Sequence, residues 1–237
     1  MKQRVVVLLV VTLASVLPAL AETTKAQDEE RIQAATEILQ SLTRTPDKGI
    51  PDKLLRSAAC IAIIPGEKKV AFFVGGSYGK GVATCRTQTG WSAPLFVTMG
   101  GGSFGFQWGA TSTDFVLIFR GRQGLEKQLS DKFQIGASAE GAAGPVGRDV
   151  GADTDITLRA EVLTYSRTKG LFAGVDLKGA VMQPDDSGNR AMYGENLPSN
   201  VAILTGRVHR PAAERPLETE LAAVAGRGMT AAQAARR

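Results

Sequence analysis

Apolar residues recur along this chain with two different periods. Between Asp28 and Leu42 the spacing is three or four: Ile32, Ala35, Ile38 or Leu39, and Leu42 form one stripe. Asp28, Glu29, Glu30, Arg31 and Glu37 fill the other face. This predicts an amphipathic helix docked on a core, since its polar side is too acidic for a good membrane helix. Pro46 and Gly49 then break the chain, and Pro51 opens a short helix over PDKLLRSA that exposes Lys53 and Arg56. From Cys60 the pattern becomes that of strands. CIAII is a continuous apolar run, and VAFFVGGSYGKGVATCR is a long strand bent at its glycines.

The chain centres on Gly90 to Phe119. Phe104, Phe106 and Trp108 alternate with small or polar residues, Asp114 marks a turn, and FVLIF follows as a buried strand. This stretch predicts the central hairpin of a bent sheet. A weak surface helix is expected over Gly121–Leu129, and a strand begins at Phe133 and Ile135. After a Gly/Ala run, DITLRAEVLTYSRT and LFAGVDLKGAVM form a hairpin at Gly170, the second strand turning Leu171, Ala173, Val175 and Leu177 to one face. Pro184–Asn189 has the chemistry of a turn. NRAMYG and SNVAILTG read as short helices, Ser199 capping the second. From Arg207 onward Pro, Ala and Arg dominate, and the segment reads as disordered. The expected fold is α+β: N-terminal helices on a strongly curved, mainly antiparallel sheet or partial β-barrel.

The N-terminus changes the boundaries. Lys2 and Arg4, an apolar run, Pro18 and Ala19-Leu20-Ala21 have the form of a secretory signal peptide over residues 1–21. A single domain over 22–206 and a tail over 207–237 follow. Export sets the expected location as periplasmic or secreted, with peripheral membrane association. It also bears on Cys60 and Cys85, both in strand-like contexts. An oxidising compartment favours a disulfide closing a loop of about 25 residues, worth ~3 kcal/mol, over two buried thiols. The net charge of +5 is mild and includes no dense basic block, so nucleic acid is not an expected partner.

Catalytic patterns fail on their requirements. Gly75–Gly79 and Gly101–Gly105 both fit G-x-S-x-G around Ser77 and Ser103. Neither precedes a helix, and the one histidine, His209, falls in the expected tail. The G-x-G-x-x-G over Gly100–Gly105 likewise lacks its helix. Asp149, Asp153 and Asp155, or Asp185 and Asp186, lack calcium-loop spacing and read as solvated turns. No enzyme activity, cofactor or metal is expected.

The ordered segments IPDKLLRSAACIAIIP, GGSYGKGVATCR, the Gly90–Phe119 stretch, AAGPVGRD, SRTKGLFAGVDLKG and MYG resemble the SYLF domain family over about Asp28 to Gly206. The leader and cysteine pair look like its bacterial, exported branch. The family was first catalogued as actin-binding and is now described as lipid-binding. The resemblance implies non-enzymatic binding of anionic phospholipid or phosphoinositide-type headgroups at the bacterial envelope, with the N-terminal amphipathic segment contributing. An envelope protein is the alternative partner; actin is not expected for an exported chain. Lys48, Lys53 and Arg56 are candidate headgroup contacts, as are Lys68, Lys69, Lys80, Arg86, Lys169 and Lys178, which read equally well as solvated turn residues. Arg148 reads first as a structural arginine paired with Asp149 or another carboxylate, and second as a phosphate contact beside glycine-bent backbone.

Overall fold

The computed structural model describes residues 24–44, 49–66, 76–102, 113–121, 133–135, 141–144, 161–168, 171–177 and 179–226. Helix α1 runs Lys25–Arg44 and α2 Asp52–Ser57. The strands are β1 (Cys60–Ile64), β2 (Gly76–Thr87), β3 (Gly90–Trp91), β4 (Leu95–Gly102), β5 (Asp114–Phe119), β6 (Phe133–Gln134), β7 (Gly141–Ala143), β8 (Val162–Thr168), β9 (Leu171–Gly174) and β10 (Val181–Pro184). Helix α3 spans Asp186–Tyr193, α4 Asn200–Leu204 and α5 Arg215–Gly226, the last preceded by a 3-10 turn at Ala212–Glu214.

The strands form one sheet in the order β6-β10-β4-β2-β1-β5-β8-β7, with β3 on β2 and β9 on β8. Every described pairing is antiparallel except β7 with β8. The end strands β6 and β7 do not pair with each other, so the described sheet is open rather than a closed barrel. The fold is α+β, as expected. Among the described residues, β4 and β5 do not form the expected hairpin: β4 pairs with β2 and β10, while β5 pairs with β1 and β8. The reason is burial. CIAII is buried at all five positions, and FVLIF likewise along its length. Strands with two apolar faces sit in the middle of a sheet, so β1 lies between β2 and β5.

Two cores result. Ile61 and Ile63 of β1 point to one face, with Val116, Ile118, Leu163 and Tyr165. Cys60, Ala62 and Ile64 point to the other, with Phe115, Leu117 and Phe119. The first core is covered by the stripes of α1 and α2 and by Leu217, Leu221 and Val224 of α5. The second is closed over by Leu177, Ala180, Met182 and by Ile203 and Leu204 of α4. Ser199 caps α4 by accepting from Ala202 N–H, as expected. Close packing explains one glycine: a Cβ on Gly81 of β2 would lie 2.2 Å from the Ile63 carbonyl oxygen and 2.5 Å from the Ile64 side chain.

Three expectations are corrected here. The tail is folded as far as Gly226, because Leu217, Leu221 and Val224 recur at helical spacing and complete the helical layer. The PDDSGN turn is the start of α3, with Asp185 as its N-cap accepting from Gly188 N–H. On β9 the inward residue is Phe172, whereas Leu171 is 60 % exposed and the strand ends at Gly174. The leader, VAFFV and residues 104–108 and 122–129 lie outside the described residues.

Cys60 and Cys85 are registered partners on β1 and β2 and form a buried disulfide. Replacing both with alanine should lower the unfolding free energy by about 3 kcal/mol, read as a lower denaturant midpoint, because the bond closes a loop with a sequence separation of 25. Leu221→Ala should cost about 2–5 kcal/mol in the same measurement; a surface tail would show no change.

Candidate functional site

The described residues contain one buried cluster of charge, built where α1, β2 and the start of α3 meet. Asp28 sits one turn before Ile32 on the apolar stripe of α1 and is fully buried. Arg31 lies one turn further on and is almost buried. Asp185 holds the cluster together. Its Oδ1 accepts from Ser187 Oγ at 2.7 Å and Gly188 N–H at 3.3 Å. Its Oδ2 accepts from Arg31 Nη1 at 3.0 Å and lies 3.1 Å from Lys80 Nζ. Arg31 Nη2 approaches Asp28 Oδ1 at 3.0 Å, an ion pair in distance, yet neither Asp28 oxygen has a hydrogen-bond donor. The Arg31 guanidinium also lies over the Phe96 ring, 5.3 Å from its centre.

The two carboxyls are driven apart. Burial pushes Asp28 up to about 6, opposed by the Arg31 charge. Burial works against Asp185 too, but the hydrogen bonds from Ser187 and Lys80 and the charges of Lys80 and Arg31 outweigh it, holding that carboxyl below its usual range. Backbone bonding fixes the cluster on the sheet. Asp185 N–H donates to the Phe96 carbonyl at 2.9 Å, and the Asn189 side-chain amide both accepts from Phe96 N–H and donates to its carbonyl. Gly188 has to be small: a Cβ there would come within 3.1–3.2 Å of three oxygens of Asp28 and Asp185.

A second feature is a groove of about 660 Å³ between α1 and the start of α5. Glu29, Glu30 and Glu37 line it, with Gln33, Gln40, Ala213 and Pro216. Its charge is negative, so this side of α1 repels anionic headgroups. Beneath it, in the 3-10 turn, Glu214 is buried with Oε2 unpartnered, and burial pushes its carboxyl up to about 8.

The sequence-derived candidates separate. Lys53 of α2 is exposed, and Arg56 is half-buried, 3.8 Å from Asp52. Lys80 belongs to the buried cluster. The Arg86 guanidinium is engaged within the fold. It stacks on Trp91 at 4.7 Å and donates to the carbonyls of Leu55, Arg56 and Ala58 at the end of α2. Lys80 lies six residues back along β2 from Arg86, about 20 Å at strand rise, so Lys53 and Arg56 do not share a patch with it. Lys48, Lys68, Lys69, Arg148, Lys169 and Lys178 lie outside the described residues, as do Asp149, Asp153 and Asp155. Asp28 and Arg31, read as solvent-facing, are buried; the signal was their place on the stripe of Ile32, Ala35 and Leu39. Asp185 is a helix cap and ion-pair partner rather than a solvated turn residue. Ser77 and Ser103 carry no described side-chain geometry, and His209 is exposed.

The site and fold define an α+β module pinned by charge between its helical layer and its sheet. The Ysc84 family model, described as "Las17-binding protein actin regulator", matches residues 100–224. Protein YSC84 of Saccharomyces cerevisiae is 36% identical over 176 residues, covering 72% of this chain and 37% of that one. LAS seventeen-binding protein 3 of the same organism is 36% identical over 176 residues, with 72% and 38% covered. Human SH3 domain-containing YSC84-like protein 1 is 31% identical over 185 residues, with 75% and 54% covered. The chain belongs to the Ysc84, or SYLF, family. Its match spans about two fifths to one half of the length of these relatives, whose names are those of binding and regulatory proteins.

Removing Arg31 leaves Asp28 and Asp185 buried with less compensation. Arg31→Ala should therefore destabilise the fold by about 3–5 kcal/mol, measured by denaturant unfolding at pH 7, whereas Lys53→Ala on exposed α2 should stay within about 0.5 kcal/mol.

Proposed function

We propose that this chain is an exported, non-catalytic module of the bacterial envelope that binds anionic phospholipid headgroups from the periplasmic or secreted side. Family membership supports binding rather than catalysis, since the relatives are named for what they bind or regulate and not for a reaction. The observation that carries the lipid reading here is α2. Leu54 and Leu55 anchor that helix in the core, while Lys53 stands in solvent and Arg56 reaches the surface beside it. A short helix fixed this way offers two cations at a set spacing. Each cation near an anionic surface contributes ~1 kcal/mol. Lys48, four residues before Asp52 in the chain, extends the same basic segment, and Lys68, Lys69, Lys80, Arg148 and Lys169 are further proposed contacts. Lys80 is the weakest of these, because Asp185 already neutralises it.

A protein partner is the second reading. It is favoured by the acidic groove along α1, which suits a basic segment, and by relatives named as Las17-binding. Cross-linking that captures a periplasmic protein along α1, with no affinity for vesicles, would select it.

Co-sedimentation of the chain without its leader tests the lipid reading. Vesicles of phosphatidylglycerol should pull the protein down at low salt, and vesicles of phosphatidylcholine should not. Reversing Lys53 and Arg56 to glutamate should weaken binding at least about 30-fold while leaving the melting curve in place. Absence of binding to any anionic vesicle at low salt would end this reading.

A further inference from the structure

Among the described residues, three buried side-chain oxygens have no hydrogen-bond partner: both of Asp28 and one of Glu214. All three lie in the helical layer. Asp28 is on α1, and Glu214 is in the 3-10 turn that packs against α1. A buried carboxylate without donors is costly, and the cost disappears when it takes a proton or returns to water. We infer that α1 is held on the sheet by a proton-coupled clamp, in which Asp28 and Glu214 take up protons as α1 docks and lose them as it lifts away. This goes beyond lipid binding and does not rest on it.

The surroundings support this direction. Asp28 faces Arg31 on its own helix, Lys80 on β2, and Asp185 and Tyr193 at α3. Arg31, whose Nη2 lies 3.0 Å from Asp28 Oδ1, and Lys80 favour its charge, but Asp185 shares both cations. Glu214 faces Arg210, Glu218 and Tyr193. Arg210 is itself paired with Glu218, which leaves Glu214 little compensation. Burial raises both carboxyls, Asp28 to about 6 and Glu214 to about 8, against ordinary values of 3.8 and 4.5. A carboxyl raised in the docked state binds its proton more tightly there than in the open state. The clamp is therefore complete below about pH 4 and weakens as pH rises through about 6 for Asp28 and about 8 for Glu214.

Hydrogen exchange of the full chain, corrected for the intrinsic pH dependence of exchange, tests the clamp. Opening of residues 25–44 and 212–226 should rise at least about tenfold between pH 5.5 and pH 8.5. Asp28→Asn combined with Glu214→Gln carries permanently neutral groups of the same shape and should remove the pH dependence. Opening of α1 that ignores pH, or a pH response surviving in the double variant, would overturn the inference. Carbon-13 titration of the two carboxyls in the unsubstituted protein gives an independent reading should the variant not fold. Midpoints between pH 5.5 and 8.5 support the clamp, and midpoints below pH 5 for both overturn it.

Discussion

The helical layer is registered on the sheet by one carboxylate. Asp185 accepts from Arg31 of α1, Lys80 of β2 and its own helix start at Ser187 and Gly188. Apolar contacts alone would let α1 slide along its stripe, because hydrophobic burial is not directional. A buried ion pair contributes little net stability, but it admits one arrangement. Asn189 then carries that arrangement to β4 by a two-way bond with the Phe96 backbone. The position of α1, and with it the acidic groove, follows from this point.

Much of the fold was legible because strands state their burial in their spelling. CIAII and FVLIF told of two buried faces, and the structure places alternate residues of each in different cores. What could not be read was pairing. Nothing local to Leu95–Phe119 says that β2 and β1, both earlier in the chain, would separate β4 from β5; that follows from competition among all strands for the central place. The last helix was legible in principle. Leu217, Leu221 and Val224 have the right spacing, but the surrounding Ala, Arg and Pro composition obscured three residues that the core requires.

The charge cluster was legible only in half. Asp28 and Arg31 share the stripe of Ile32 and Ala35, a polar pair at core positions, and that mismatch marks burial with a partner. The partner lies 154 residues away in sequence, in a segment with the chemistry of a turn. Asp185 caps a helix and receives two cations at once, and one sequence reveals the first role more readily than the second. Arg86 misleads for a related reason. A basic residue beside a turn suggests solvent, while its aliphatic stem and guanidinium plane are occupied by Trp91 and by helix-end carbonyls.

The contact between α1 and α5 joins the beginning of the described chain to its end, with Gln40 bonded to Glu220 across the two helices. A ribosome delivers these two residues 180 positions apart. Until Leu217, Leu221 and Val224 have been synthesised, the first core lacks part of its cover and α1 lacks one of its several neighbours.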